Sequence, residues 1–347
     1  MRKLSTIIAL ALAINCALAA QDRTELYIGT FGNAVYEATF DSSSGKLDIT
    51  GKIDAVDPSY LCAGRQALYS VSEHKGHPGI YSFRQDGKSS YLDTIGDSPC
   101  FITELKSGRH VATADYNSGT ISVFLQKKGL LKKNVQTLSY EPNSHIHQLK
   151  YIPGTSWLLA TDLGDDCIHI LEPAHGRKPL KDIGAVREGF TKGCGPRHME
   201  FIPEKQILYC LCELSDELMV FRYDLSGKTP KFTHLQTIRA NEVETGGSAD
   251  IHLAPSGTAL FTSHRLANEG IATFLVKDDG LLEKVGYTLT GKHPRNFLPT
   301  TDGKWVLVAC RDDASVEVYS RDPLTGRLSL SSRTGFGEDR PCCIILK

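Results

Sequence analysis

His293-Pro294-Arg295-Asn296-Phe297 opens the unit of sequence that decides the fold. A tight-turn pair, Asp302-Gly303, follows it, and β-type runs then cover 305–310 and 315–319. Thr325-Gly326 makes a second hairpin, and Leu328 to Leu330 supplies an edge run. Short apolar runs broken by Gly, Pro and Asp pairs are the mark of consecutive antiparallel strands. At Pro341 a further unit begins, with only residues 342–347 behind it, enough for one strand.

Working outward, the same opening recurs near Pro58, Pro99, His147, Pro196 and Asp250. The spacing is roughly 40 to 55 residues, the period of four-stranded propeller blades. Runs at 26–31, 68–73, 79–83, 120–124, 157–162, 208–213 and 218–223 read as further strands. Lys128-Gly129 and Asp279-Gly280 repeat the outer hairpin of Thr325-Gly326. Seven openings result, and about three strands' worth of unused sequence, 26–54, precedes the first of them. Joining the lone last strand to those first three completes a blade and leaves no exposed sheet edge at either terminus. The expectation is an all-β chain: a seven-bladed β-propeller of four-stranded antiparallel blades, with the last blade closed by N-terminal strands. No Pro-, Gly- or Ser-rich linker interrupts the repeat, so 21–347 reads as one domain.

Composition narrows the function classes. Of 347 residues, 41 % are hydrophobic and 23 % charged, with a formal net charge of −1. A nucleic-acid partner would need a basic footprint, and none is present. Balanced charge and ordinary apolar content also argue against disorder.

The N-terminus differs from the rest. Arg2 and Lys3 precede an apolar run from Ile7 to Ile14, and Ala17-Leu18-Ala19 offers small residues at a cleavage point. Residues 1–20 therefore read as a secretory signal peptide, too short in its apolar run to span a bilayer comfortably. Cys16 invites a lipoprotein reading, which Asn15 before it fits poorly. The expected location is secreted or periplasmic, with no membrane association after cleavage.

Ten cysteines occur, and removal of Cys16 with the leader leaves nine, an odd number that cannot all pair within one chain. Cys210 and Cys212 share one strand face, whereas the adjacent Cys342 and Cys343 point to opposite faces. Buried free thiols acting as small apolar side chains are the favoured reading, with one or two disulfides as the alternative in an exported chain.

A propeller sets equivalent positions of each blade in a ring about its axis. Lining up the strands that follow each opening puts Glu73, Asp115, Asp162, Glu213, Arg265 and Arg311 at their ends. The opening strands themselves contribute His147, Arg197, Asp250 and Arg295. A self-neutralising ion-pair network that ties blades together would gather charge in the same way. The uneven subset His147, Arg197, Glu213 and Arg265, drawn from successive blades, favours chemistry instead. It combines an imidazole, a carboxylate and two guanidiniums. Arginine binds carboxylate or phosphate bidentately and stabilises developing negative charge, while a carboxylate or imidazole can take a proton from water.

Taken together, several motifs resemble one family. Gly195-Pro196-Arg197-His198-Met199, Leu211-Cys212-Glu213-Leu214, Ala249-Asp250-Ile251-His252, Ser263-His264-Arg265 and His293-Pro294-Arg295-Asn296-Phe297 are similar to segments of the propeller lactonases. That family includes bacterial 6-phosphogluconolactonase and the fungal 3-carboxy-cis,cis-muconate lactonizing enzyme. Tyr27-Ile28-Gly29-Thr30-Phe31, Asp115-Tyr116-Asn117-Ser118-Gly119 and His145-Ile146-His147 fit as well, so the resemblance spans about 25–347. It implies a lactone-opening hydrolase with His147, Arg197, Glu213 and Arg265 as the catalytic set. The residue that acts as base, Glu213 or His147, stays open. His145, Asp250, His252 and Arg295 are the candidates for substrate contact, with an orienting or packing role as the alternative for His145. His198, next to Arg197, is expected on the other strand face in a structural role.

Two departures stand out. Phe101 replaces a histidine the family often has, and Ala309-Cys310-Arg311 replaces an Ala-Asn-Gln run. A signal peptide is also unexpected for an enzyme of a cytosolic intermediate. No HExxH metal motif, Gly-rich phosphate loop or G-x-S-x-G elbow occurs, so no required metal and no cofactor are expected. The expected partner is a small anionic lactone. A muconate-type cycloisomerase and a non-enzymatic binding scaffold are the rival readings, and the oligomeric state is open.

Overall fold

The computed structural model describes residues 22–94, 96–174, 178–243 and 245–347; the expected signal peptide at 1–20 lies outside the described residues. Seven four-stranded antiparallel sheets are formed, six of them from consecutive strands. The seventh joins Arg340–Leu346 to Arg23–Phe31, which continues into Ala34–Asp41 and Lys46–Asp54. Leu26 pairs with Leu346 and Phe31 with Arg340, so the two ends of the chain close the ring in register.

The first strand of each sheet packs against its counterparts in the neighbouring sheets. Leu61–Ala63, Pro99–Glu104, Ile146–Tyr151, Pro196–Ile202, Ser248–Leu253, Pro294–Pro299 and Arg340–Leu346 form a closed inner circle around the axis. The expected openings fall on or just before these strands. Helical structure among the described residues is limited to two short 3-10 turns, Pro203–Lys205 and Arg311–Asp313. No helix there is long and apolar enough to cross a membrane.

Burial follows radial position. Ile207–Cys212, second from the axis, is buried at every residue, because both of its faces meet neighbouring blades. Lys231–Arg239, at the rim of the same blade, is exposed or half-buried at every residue but Phe232 and presents polar side chains to water. The apolar clusters lie between blades: Leu159, Ile168 and Ile170 of one sheet pack with Met199, Leu208 and Phe221 of the next. Each such fully buried side chain contributes about 1.5–3 kcal/mol of transfer free energy. The outer hairpins need left-handed backbone: Lys128 and Gly129 have φ of 54° and 81°, the pair of positive values that a two-residue turn matching strand twist requires.

Nine cysteines among the described residues are free thiols, and all but Cys62 are buried. Cys210 and Cys212 lie in one apolar cluster, as their shared face requires. Cys343 joins another cluster, while the Cys342 thiol, on the opposite face, donates to the carbonyls of Gly29 and Ser59.

Candidate active site

Six of the seven inner strands carry a register shift near their start. The residues left unpaired are Cys100, His147, Arg197, Ala249 with Asp250, Arg295 and Cys342. A β-bulge sets two residues against one and re-aims the extra side chain. All four charged residues that the opening strands contribute, His147, Arg197, Asp250 and Arg295, therefore lie in the bulges of their strands.

Arg197 and Arg265 share one carboxylate. Arg197 Nε lies 2.7 Å from Glu213 Oε2, and Arg265 Nη2 lies 2.9 Å from Glu213 Oε1. Glu213 follows Ile207–Cys212, and its amide donates to Gly195 O at 2.7 Å. Arg265 follows Ala259–His264, and its amide donates to Gly247 O at 2.9 Å. Gly247 has φ of 92°, and a Cβ there would stand 2.6 Å from Arg265 O, so the close approach of the two loops needs glycine. Arg197 Nη1 also donates to Ala249 O, and Arg265 Nε to Gly247 O at 3.1 Å. Arg197 Nε and Arg265 Nη2, the atoms that face Glu213, are buried and make no well-aligned hydrogen bond among the described residues.

Exposure separates the members. The side chains of Arg197 and Arg265 are 2 % and 7 % exposed, while Glu213 keeps 19 % of its surface open. Burial alone would raise the Glu213 carboxyl, but Arg265 and Arg197, with Arg295 behind them, hold it below the usual carboxylate range. Burial lowers Arg265 to about 9 against the pull of Glu213. It also lowers Arg197.

His147 is buried, and its Nδ1 has no partner. Burial, followed by the charge of Arg197, pushes the imidazole well below its ordinary 6.5, so it is neutral at pH 7. Its ring lies 5.1 Å from that of His198 and 5.9 Å from that of Tyr116. A buried neutral imidazole beside two guanidiniums can accept a proton from water, and a guanidinium can hold an oxyanion.

The remaining expected residues divide. Arg295 joins the same ring: its Nη2 lies 3.5 Å from Glu73 Oε1, which also accepts from Ser59 Oγ at 2.5 Å. Glu73 pulls the guanidinium above its ordinary range although burial opposes it. His145 precedes its strand, stacks on Tyr116 at 4.5 Å and bonds the Tyr116 carbonyl through Nδ1 at 2.8 Å, which fixes its orientation. Asp250 is buried and saturated. Its oxygens meet His198 Nδ1 at 2.7 Å, His252 Nε2 at 3.0 Å, the Asn296 amide and the Phe297 N–H. It therefore holds neighbouring blades together, its contacts being to the protein itself. His252 sits two residues further along the strand, with Glu200 at 3.8 Å and Lys150 bonded to Glu200 at 3.0 Å, away from the arginine cluster.

Two alignment expectations are corrected. Asp115 does not face the mouth: it accepts from Thr113, Thr120 and Ser122 inside its own hairpin. Asp162 is likewise turned into its hairpin, toward His169. The expected orientation of His198 also fails, because the bulge at Arg197 resets the alternation and brings His198 beside His147, Tyr60 and Phe101.

Some residues were not singled out from sequence. Phe31 has the guanidiniums of Arg295, Arg311 and Arg340 at 5.3, 5.8 and 5.9 Å from its ring centre. Arg311 pairs with Asp312 at 2.7 Å. Arg340 immediately precedes the Pro341 opening, the one cue that could have marked it.

The fold and this site together define a class: a seven-bladed propeller with a buried arginine–carboxylate–imidazole cluster at its axis. The profile of the family described as lactonase, 7-bladed beta-propeller, matches residues 25–346, and the chain belongs to that family. It is 29% identical over 335 residues to a protein named 6-phosphogluconolactonase from Formosa agariphila, covering 87% of this chain and 94% of that one. Two solved structures provisionally named 6-phosphogluconolactonase are also similar. The one from Bacteroides uniformis has a TM-score of 0.84 and 34% identity, covering 94% of this chain and 100% of the other. The one from Bacteroides fragilis has a TM-score of 0.82 and 31% identity, covering 94% and 98%.

Proposed function

We propose that this protein hydrolyses sugar-acid lactones of the 6-phosphogluconolactone type at the axial cluster of His147, Arg197, Glu213 and Arg265. The observation that carries the reading is the buried, unpartnered Nδ1 of a neutral His147 next to two guanidiniums whose Nε (Arg197) and Nη2 (Arg265) make no well-aligned hydrogen bond. Similarity to proteins named 6-phosphogluconolactonase supports the substrate class.

The sequence leaves Glu213 and His147 as rival bases, and the geometry favours His147. Both Glu213 oxygens face arginines, whereas the Nδ1 of His147 has no partner and is free to meet a water. In the proposed reaction His147 takes a proton from water, and the oxygen attacks the lactone carbonyl. Arg197 and Arg265 stabilise the tetrahedral oxyanion. Collapse breaks the ring C–O bond, and the departing ring oxygen takes the proton back from His147, giving the open hydroxy acid. Glu213 fixes both guanidiniums in place, while Arg295, Arg311 and Arg340 make the mouth attractive to an anionic substituent.

Residues 1–20 as a cleaved leader would carry the 21–347 domain out of the cytoplasm. Intact mass of the recovered protein tests this. Continuous titration of acid released from aldonolactones, with and without a terminal phosphate, tests the activity.

A further inference from the structure

Away from the axial cluster, the hairpin joining Leu158–Asp162 to Cys167–Pro173 gathers four side chains of mixed chemistry. Donor atoms of Asp162, Asp165, Cys167 and His169 all lie within 4.8 Å of one another. The hairpin dictates this: Asp162 pairs with Cys167 across the ladder, and Cys167 and His169 share a strand face two residues apart. Cys167 Sγ is 3.7 Å from Asp165 Oδ2 and 3.7 Å from His169 Nε2, and His169 Nε2 is 3.3 Å from Asp162 Oδ2. A tetrahedral zinc ion with ordinary bond lengths has sulfur–nitrogen and sulfur–oxygen edges of about 3.5 Å and a nitrogen–oxygen edge of about 3.3 Å. These three separations lie within about 0.2 Å of those edges, and the remaining donor pairs lie within 4.8 Å.

The surroundings fit as well. His169 Nδ1 lies 3.1 Å from Asp182 Oδ2, the outer carboxylate that turns the other ring nitrogen toward a metal. Asp162 Oδ1 accepts the backbone N–H groups of His145, Gly164 and Asp165 at 2.8, 3.1 and 3.0 Å, which leaves Oδ2 facing the cluster. The Tyr140 ring covers His169 at 4.0 Å. Arg187 Nη2, 2.5 Å from Asp165 Oδ2, offsets part of the negative charge. A histidine bridging two aspartates would by itself be an ordinary ion pair. That pairing does not require a thiol within 3.7 Å of both the imidazole and a second carboxylate.

We propose that Asp162, Asp165, Cys167 and His169 form a tetrahedral site for a zinc-like divalent cation, distinct from the axial cluster. A thiol and an imidazole among the ligands select a borderline transition metal over calcium or magnesium, which take oxygen alone. Through the His145 N–H on Asp162, the ion braces the start of the strand that carries His147.

The test is titration of cobalt(II) into the chelator-treated full chain. The expected result is a thiolate-to-cobalt charge-transfer band with intense tetrahedral visible bands, saturating at about one equivalent and displaced by zinc. Cys167→Ser should lose the charge-transfer band, and Cys194→Ser should keep it. Asp165→Asn, at the partly exposed turn, serves if Cys167→Ser does not fold, and should bind cobalt at least about tenfold more weakly. Absence of the band in the unmodified chain overturns the site. So does a band that survives in folded Cys167→Ser, or unchanged affinity in Asp165→Asn.

Discussion

Arg197 Nε stands 2.7 Å from Glu213 Oε2, and the other oxygen of that carboxylate is held by Arg265 at 2.9 Å. One acid thus pairs with two nearly buried guanidiniums supplied by different blades, leaving a net positive charge. Glu213→Gln keeps the shape but removes the charge. It should lower kcat/KM for lactone opening by roughly 100-fold or more, the scale of a lost oxyanion-site contribution. Stability should also fall by about 3 kcal/mol, the low end for breaking a buried pair, because Glu213 keeps some solvent contact. Urea unfolding alongside steady-state kinetics checks both; an unchanged rate in a folded variant contradicts the assignment.

His147 supplies the pH dependence. Its imidazole titrates well below 6.5, so the neutral base form persists into mildly acidic solution. The acid limb of kcat/KM should therefore fall below pH 6.5, and His147→Gln should abolish that limb with a loss of roughly 100-fold or more. A limb centred at or above 6.5 in the unmodified enzyme points to another base.

Arg340 bears on substrate charge. Its guanidinium shares the Phe31 ring with Arg295 and Arg311. Arg340→Ala should raise KM about 5- to 10-fold for a phosphorylated aldonolactone, leave kcat in place, and matter most at low ionic strength. An equal effect on the unphosphorylated lactone would remove Arg340 from anion recognition.

The many bonds of Asp250 make it a stability residue. Burial would raise its carboxyl, but His252 and His198 hold it well below 3.8. A depressed folded-state value means that its stabilisation is present above the unfolded value and is lost as pH falls through the folded one. Asp250→Asn should cost about 3–5 kcal/mol near neutrality and flatten the loss of stability below about pH 3.8. Parallel unfolding curves for the two proteins from neutral to acid pH would contradict this.

The repeat was legible in the sequence because its punctuation is local. Pro196, Pro294 and Pro341 mark inner strands, and Asp302-Gly303 marks the turn that follows one of them. The ring closure followed from counting the strands left over at each end. The meeting of His147, Arg197, Glu213 and Arg265 was reachable from charge alignment and family resemblance. The orientation of His198 was not, because strict alternation breaks at the bulge on Arg197 and no residue type announces it. Asp115 and Asp162 misled for a related reason. They occupy strand ends, but hydroxyls and His169 in their own hairpins satisfy them before they can reach the axis. The approach of Arg340 to Phe31 depends on pairing between the two ends of the chain, which sequence proximity does not reveal.

The most direct measurement is acid release from 6-phosphogluconolactone by the purified chain and by Arg197→Lys, with both shown by circular dichroism to be folded. Lysine keeps the charge but lacks the fork that meets Glu213 and the oxyanion together. The account predicts rapid opening by the unmodified chain and a loss of about 100-fold or more in the variant. Failure of the unmodified chain to open any aldonolactone, or equal rates in the two proteins, would contradict it.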